Sequence, residues 1–181
     1  TGDLVGLGHL ADAVNRARNG DVVTFAANQH INPTNVCVLR TTCTFCGYAR
    51  LPKEEGAYRY TLEQVLSEAA QAADGLTREF HIVGGLDMKA GLEYYRTMFR
   101  ALKSNFPHVH IKALTAVEIA HIARIEKMPW RDVLVALRDA GLDTLPGGGA
   151  ETFSAAVRER IAGKKLAGAD YIGVHRTAHE L

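Results

Sequence analysis

The chain has 181 residues, 47% of them hydrophobic and 23% charged, enough apolar material for one sizeable core and a single domain. A formal net charge of +1 excludes the electrostatic footprint of a nucleic-acid or anionic-membrane binder. No apolar run approaches the ~20 residues of a bilayer-spanning helix, so neither membrane nor nucleic acid is expected as a partner.

Residues 4–18 read as an amphipathic helix, with Leu4, Leu7, Leu10, Ala11, Val14 and Ala17 at helical spacing and Asn19-Gly20 as its stop. Residues 25–31 are a short extended candidate that runs into the most informative stretch of the chain. All three cysteines, Cys37, Cys43 and Cys46, lie there within ten positions. A structural zinc site wants four ligands, a disulfide framework wants an even number of thiols, and a cubic iron–sulfur cluster normally takes four. Three thiolates leave one iron open to a small molecule. Two other readings stand beside this one: a zinc knuckle completed by one of the eight histidines, or three unrelated buried thiols. Clustered cysteines without an even framework suit a reducing cytosol and a cytoplasmic location.

After the cysteines, residues 51–60 have no clear period and read as loop. Thr61 looks like an N-cap for a helix carrying Leu62, Val65, Leu66, Ala69, Ala70 and Ala73 on one face, stopped by Asp74-Gly75. Residues 79–83 read as a strand, 90–104 as a helix and 108–114 as a strand. Thr115 and Glu118 form a capping box for a helix over 116–124. Pro129 opens a further helix to 140, and Gly141 ends it. Residues 142–145 read as a last short strand before Pro146-Gly147-Gly148-Gly149, and 153–161 and 169–181 as helices.

Strands alternating with helices imply βαβ units, a parallel sheet and right-handed crossovers, in a barrel or a doubly wound stack. The unusual residues all follow strands, at the C-terminal edge where α/β barrels place their sites. Gly84-Gly85 is either a turn needing positive φ or a place where backbone approaches a ligand. The glycine run 147–149 is either a phosphate or nucleotide cradle or a flexible turn. Glu151 is read as a helix-start carboxylate favoured by the macrodipole, with substrate contact as the other reading. Glu118 most economically caps its helix; if it instead faces the barrel mouth, it is a candidate contact for a ribose or amino group. His175 and His179, four apart, read as a solvated helix face; His108 and His110 share a strand face without completing a metal site.

The cysteine triad, with Phe45 just before Cys46, resembles the radical S-adenosylmethionine superfamily. Cys43 and Cys46 keep that family's two-residue gap, whereas five residues separate Cys37 from Cys43 where three are usual. Longer runs resemble its aminofutalosine synthase branch in the futalosine route to menaquinone: residues 30–37, 80–86, 110–120 and 145–151. Dehypoxanthine futalosine cyclase and deazaflavin synthase are related branches. The resemblance implies an α/β fold that is a partial TIM-type barrel of about four βα units behind an N-terminal helix. It implies a 4Fe–4S cluster on Cys37, Cys43 and Cys46, and S-adenosylmethionine beside Tyr48, Gly84, Gly85, Thr115 and Glu118. An external one-electron donor of the flavodoxin or ferredoxin type is implied as well. The expected reaction is addition of the 5′-deoxyadenosyl radical to the enolpyruvyl double bond of carboxyvinyloxybenzoate, giving aminofutalosine with loss of carbon dioxide. A dicarboxylate substrate wants cationic partners, for which Arg50 and Lys112 are candidates, with Glu151 as a polar one.

A closed barrel has eight units and typically ~250 residues. Residues 1–181 are therefore expected to form a single core domain that is the N-terminal half of a longer enzyme. Its sheet is expected to be open, with an unpaired edge beyond the fourth strand and an exposed apolar concave face.

Overall fold

Helix α1 (Leu4–Asn19) opens the fold, in a computed structural model that describes residues 2–44, 46–71 and 75–181. Phe45 and the expected end of the second helix, Ala73 and Asp74, lie outside the described residues. Asp3 caps α1 by accepting from Gly6 N at 2.9 Å, and Gly20 ends it at φ 65°. The apolar stripe read from the sequence is present but exposed: Leu4, Leu7, Leu10 and Val14 pack against no core.

Strand β1 (Asn28–Ile31), helix α2 (Leu62–Ala70), strand β2 (Glu79–Ile82), helix α3 (Leu92–Asn105), strand β3 (His110–Ala113) and helix α4 (Ala116–Glu126) then alternate. Helices α5 (Trp130–Arg138), α6 (Ala155–Ala162) and α7 (Gly168–His179) follow. The sheet runs β1-β2-β3, parallel throughout, with Ile31 beside Ile82 beside Ala113. Sequential neighbours with helices on one face are the winding of an α/β barrel, not of a doubly wound stack.

Period-two alternation decides which face is which. Ile31, Phe80, Ile82, Ile111 and Ala113 point to the helices and are buried against Val65, Tyr95, Met98, Phe99, Leu102, Ile119 and Ile122. The opposite residues are His30, Glu79, His81, His110 and Lys112, none of them buried. The concave face is thus polar, not apolar as expected, because each strand spends its apolar residues on the helix side. Two helices carry a full starting signal: Thr61 and Thr115 make complete capping boxes with Gln64 and Glu118.

The fourth strand shrinks to one bridge, Lys112 to Thr144. Thr144 N donates to Ile111 O at 3.2 Å and Ala113 N donates to Thr144 O at 3.0 Å. The next rung would need a donor from Pro146, which has none. His108 sits in the turn before β3, so it shares no strand face with His110. Among the described residues no helix is long and apolar enough to cross a membrane.

Candidate active site

The cysteine loop is threaded between two supports. On one side Cys37 N donates to Arg50 O at 2.9 Å and Arg50 N to Asn35 O at 2.8 Å. On the other, Gly85 N donates to Thr34 O at 2.8 Å and Val38 N to Leu86 O at 3.1 Å. Thr34 and Asn35, both buried, satisfy the remaining backbone groups: Thr34 Oγ1 donates to Tyr58 O at 2.9 Å, and Asn35 Nδ2 to Gly56 O at 2.9 Å. Asp87, only 2% exposed, anchors the assembly through an ion pair with Arg59 and a bond from Thr34 Oγ1 at 3.3 Å. The five residues between Cys37 and Cys43 are taken up as turns. Thr42 N and Cys43 N both donate to Leu39 O at 2.9 Å, and the Leu39 side chain plugs into the core. The coil returns Cys43 to the wall that Cys37 and Cys46 share.

Gly84 and Gly85 are required for a different reason from positive φ, which neither adopts. A Cβ on Gly84 would stand 2.8 Å from Thr34 O; one on Gly85 would stand 2.2 Å from Val36 O and 3.0 Å from Cys37 Cβ. Missing side chains here let the cysteine loop itself lie against the end of β2.

Glu118 joins the next two loops. Its Oε1 accepts from Gly84 N at 2.9 Å, while Oε2 accepts from Thr115 N at 2.7 Å and Thr115 Oγ1 at 2.8 Å. The carboxylate completes the capping box and also lines the cleft. Burial raises its pKa to about 7, against the bonds from Thr115 and Gly84 that favour the charged form. A raised folded-state value means stability that is full below the ordinary carboxylate range and is lost as pH rises through about 7. Glu118→Gln should therefore flatten this part of the profile. Urea unfolding of the cluster-free chain at pH 5 and pH 8 should show the wild type losing roughly 3 kcal/mol relative to the variant. Equal losses in both proteins would overturn it.

The last wall comes from the far end of the chain. Glu151 and Lys165 line the cleft and pair at 2.7 Å. Glu151 is not a helix-start carboxylate: α6 begins four residues later, and Glu151 sits in the left-handed region at φ 60°. Arg158, nearly buried, clamps this wall by donating to the carbonyls of Ala150, Thr152 and Leu166. Tyr171 Oη donates to Gly147 O at 2.5 Å, which holds the glycine loop as a structural turn with only Gly149 reaching the cleft. Thr44 N donates to Ile161 O at 2.9 Å and ties the cysteine loop to α6. Lys165, Arg158 and Tyr171 escaped sequence reading, because residues 158–171 look like a charged surface and carry no motif.

The result is one cleft of about 240 Å³ at the C-terminal edge of the sheet. Cys37, Cys43, Cys46, Tyr48, Gly84, Gly85, Thr115, Glu118, Glu151 and Lys165 border it. Tyr48 stands at the rim, its hydroxyl bonded to that of Tyr58, which stacks on Tyr60 at 4.8 Å. Arg50 and Lys112 are outside the cleft. Arg50 curls back on its own loop, donating to Gly47 O and Ala49 O at 2.9 Å. Lys112 pairs with Glu79 at 2.8 Å on the concave face. His175 and His179 line a separate groove of about 390 Å³ beside Arg138 and Leu181, without the chemistry of the cysteine cleft.

The donor set fits a polynuclear cluster. Among the described residues, no three His, Cys, Asp or Glu side chains converge where one metal ion could sit. The three thiols instead share a wall, as a cluster requires when each thiolate takes its own iron. Burial pushes the Cys43 thiol up, with Lys165 opposing and the other two thiols adding to the rise. Iron binding would have to displace that proton.

Comparison with known proteins agrees with this chemistry. Over its full 181 residues the chain is 40% identical to an aminodeoxyfutalosine synthase of Thermus thermophilus, covering 48% of that protein. It is 43% identical to the one of Streptomyces coelicolor over 98% of the chain and 46% of the relative. A 5-amino-6-(D-ribitylamino)uracil–L-tyrosine 4-hydroxyphenyl transferase of Methanopyrus kandleri is 41% identical over 90% of the chain and 43% of its own length. The chain thus spans about half the length of these relatives. A methylornithine synthase crystal structure superposes with a TM-score of 0.68 at 19% identity, over 99% of this chain and 49% of that one, and shares the fold. The radical SAM superfamily model matches residues 31–181, from the end of β1 through every wall of the cleft. The chain belongs to the radical SAM superfamily, whose members work with a 4Fe–4S cluster and S-adenosylmethionine.

Proposed function

We propose that the chain carries the cluster and cofactor cleft of an aminodeoxyfutalosine synthase, for which aminofutalosine synthase is the shorter name. The supporting observation is whole-chain likeness at 40% and 43% to two such enzymes, with the cysteine triad set on one cleft wall. When bound, the reduced cluster and S-adenosylmethionine supply a carbon-centred adenosyl radical. The chain's own residues have positioning work to do. Cys37, Cys43 and Cys46 anchor the iron, and the Gly84-Gly85 edge and Glu118 offer backbone and carboxylate groups to the methionine end. Tyr48 offers a ring face at the rim. The substrate assigned is the enolpyruvyl benzoate, an alkene that accepts the radical and loses carbon dioxide.

A second reading has its own support, since a tyrosine hydroxyphenyl transferase is 41% identical. One assay separates the two. The cluster-loaded chain is given a low-potential reductant, S-adenosylmethionine and either the enolpyruvyl benzoate or L-tyrosine with the ribitylaminouracil. An adenosylated adduct from the first substrate is the expected result. Free 5′-deoxyadenosine with conversion of tyrosine would overturn it in favour of the transferase.

A further inference from the structure

The concave face of the sheet holds a cluster that the cleft does not use. Parallel register sets His30, His81 and Lys112 side by side across β1, β2 and β3. The two imidazoles stack with centroids 4.5 Å apart and planes 5° from parallel. Stacking occupies the ring faces and leaves the nitrogen edges open, and neither ring makes a hydrogen bond among the described residues. Lys112 lies 2.8 Å from Glu79 Oε1 as an ion pair, although that buried oxygen receives no hydrogen bond. The row therefore presents the Lys112 ammonium and two open imidazole edges beside the Glu79 carboxylate, polar groups still short of partners.

Its position relates it to the cleft. Val83, the residue just past the end of β2 and two positions on from His81, lines the cleft. Two residues of extended chain rise ~7 Å, so the row lies one side-chain layer below the wall that carries the cysteines. Crowding has a cost: desolvation, then the neighbouring His30 and Lys112, hold the His81 pKa below its ordinary value. An anion laid across the row would offset that cost at His81 and pair with the Lys112 ammonium.

We propose that His30, His81 and Lys112 form a carboxylate seat, which holds the anionic end of the substrate so that its reactive carbon faces the cleft. The seat rests on reading the chain as an enzyme for a carboxylate-bearing small molecule. It requires no change in the cluster or cofactor.

Isothermal titration of the cluster-loaded chain with the enolpyruvyl benzoate tests it, in wild type, His30→Phe and His81→Phe. Phenylalanine keeps the ring and the stack and removes only the polar edge. Each substitution should weaken binding about tenfold to a hundredfold, the range for a hydrogen bond to a charged group. Iron content and substrate-free cleavage of S-adenosylmethionine should stay at wild-type level. Unchanged affinity in both variants overturns the seat. Loss of S-adenosylmethionine cleavage also overturns it, because the row would then hold the carboxylate of the cofactor's methionine. L-tyrosine serves as the second probe. A wild type that ignores the benzoate but binds tyrosine through the same row sinks the assigned reaction and upholds the seat. A wild type that binds neither sinks the seat.

Discussion

Serine in place of Cys37, Cys43 or Cys46 is expected to abolish cluster loading at each position separately. Anaerobic reconstitution of the wild type with iron and sulfide should give a brown protein with about four irons per chain. The three thiols line one cleft, three ligands for a cluster that normally takes four. Each must therefore hold its own iron, and none can substitute for another. Cys43 is the sharpest case, because its loop is coiled through Leu39 O and tied to Ile161 through Thr44. A hydroxyl there keeps the coil and loses only the soft ligand. Colourless wild-type protein holding one tightly bound zinc would sink the cluster assignment and favour a zinc-stabilised fold instead.

Alanine at Gly85 should come close to the same loss without touching a ligand. The added carbon would meet the Val36 carbonyl oxygen at 2.2 Å and Cys37 Cβ at 3.0 Å, and a backbone carbonyl cannot swing away as a long side chain can. Overpacking of this kind costs about 1–3 kcal/mol, and relief comes from pushing the cysteine loop off the end of β2. The melting temperature should fall by roughly 2–10 °C and iron content should drop well below wild type. Gly47→Ala is the control: it lies in the same loop with nothing among the described residues within 4 Å of its would-be Cβ, and should load normally. Full iron occupancy in Gly85→Ala would show that the loop has slack that its contacts do not reveal.

Local rules made much of this legible from the residues. Alternation in the runs 79–82 and 110–113 marks both strands and their two faces. Thr61 with Gln64 and Thr115 with Glu118 announce two helix starts, and the structure makes both capping boxes. The triad and the glycine pair came out beside one another because both follow strand ends. What escaped was long-range. Nothing near Lys165 says that it will meet Glu151 across the cleft, or that Arg158 will gather three carbonyls to hold that wall. The fourth strand failed on a single atom, the hydrogen that Pro146 lacks, while propensity in 142–145 favoured it. The polar concave face was written in the same alternation that placed the core, yet the expectation of an apolar one ignored it.

Pro146 has a further consequence, in how copies of this sheet meet. An open parallel edge invites strand addition, in which a neighbour's backbone docks and the next copy docks on that. Along residues 143–146 little is left for such a guest. Asp143 N and Thr144 N are both spent on Ile111 O, which leaves Leu145 N as the outward donor of this stretch. Pro146 ends the inward pairing after one bridge, so the edge left for a guest is too short to template a strand, and growth of fibrils from this side of the sheet is discouraged.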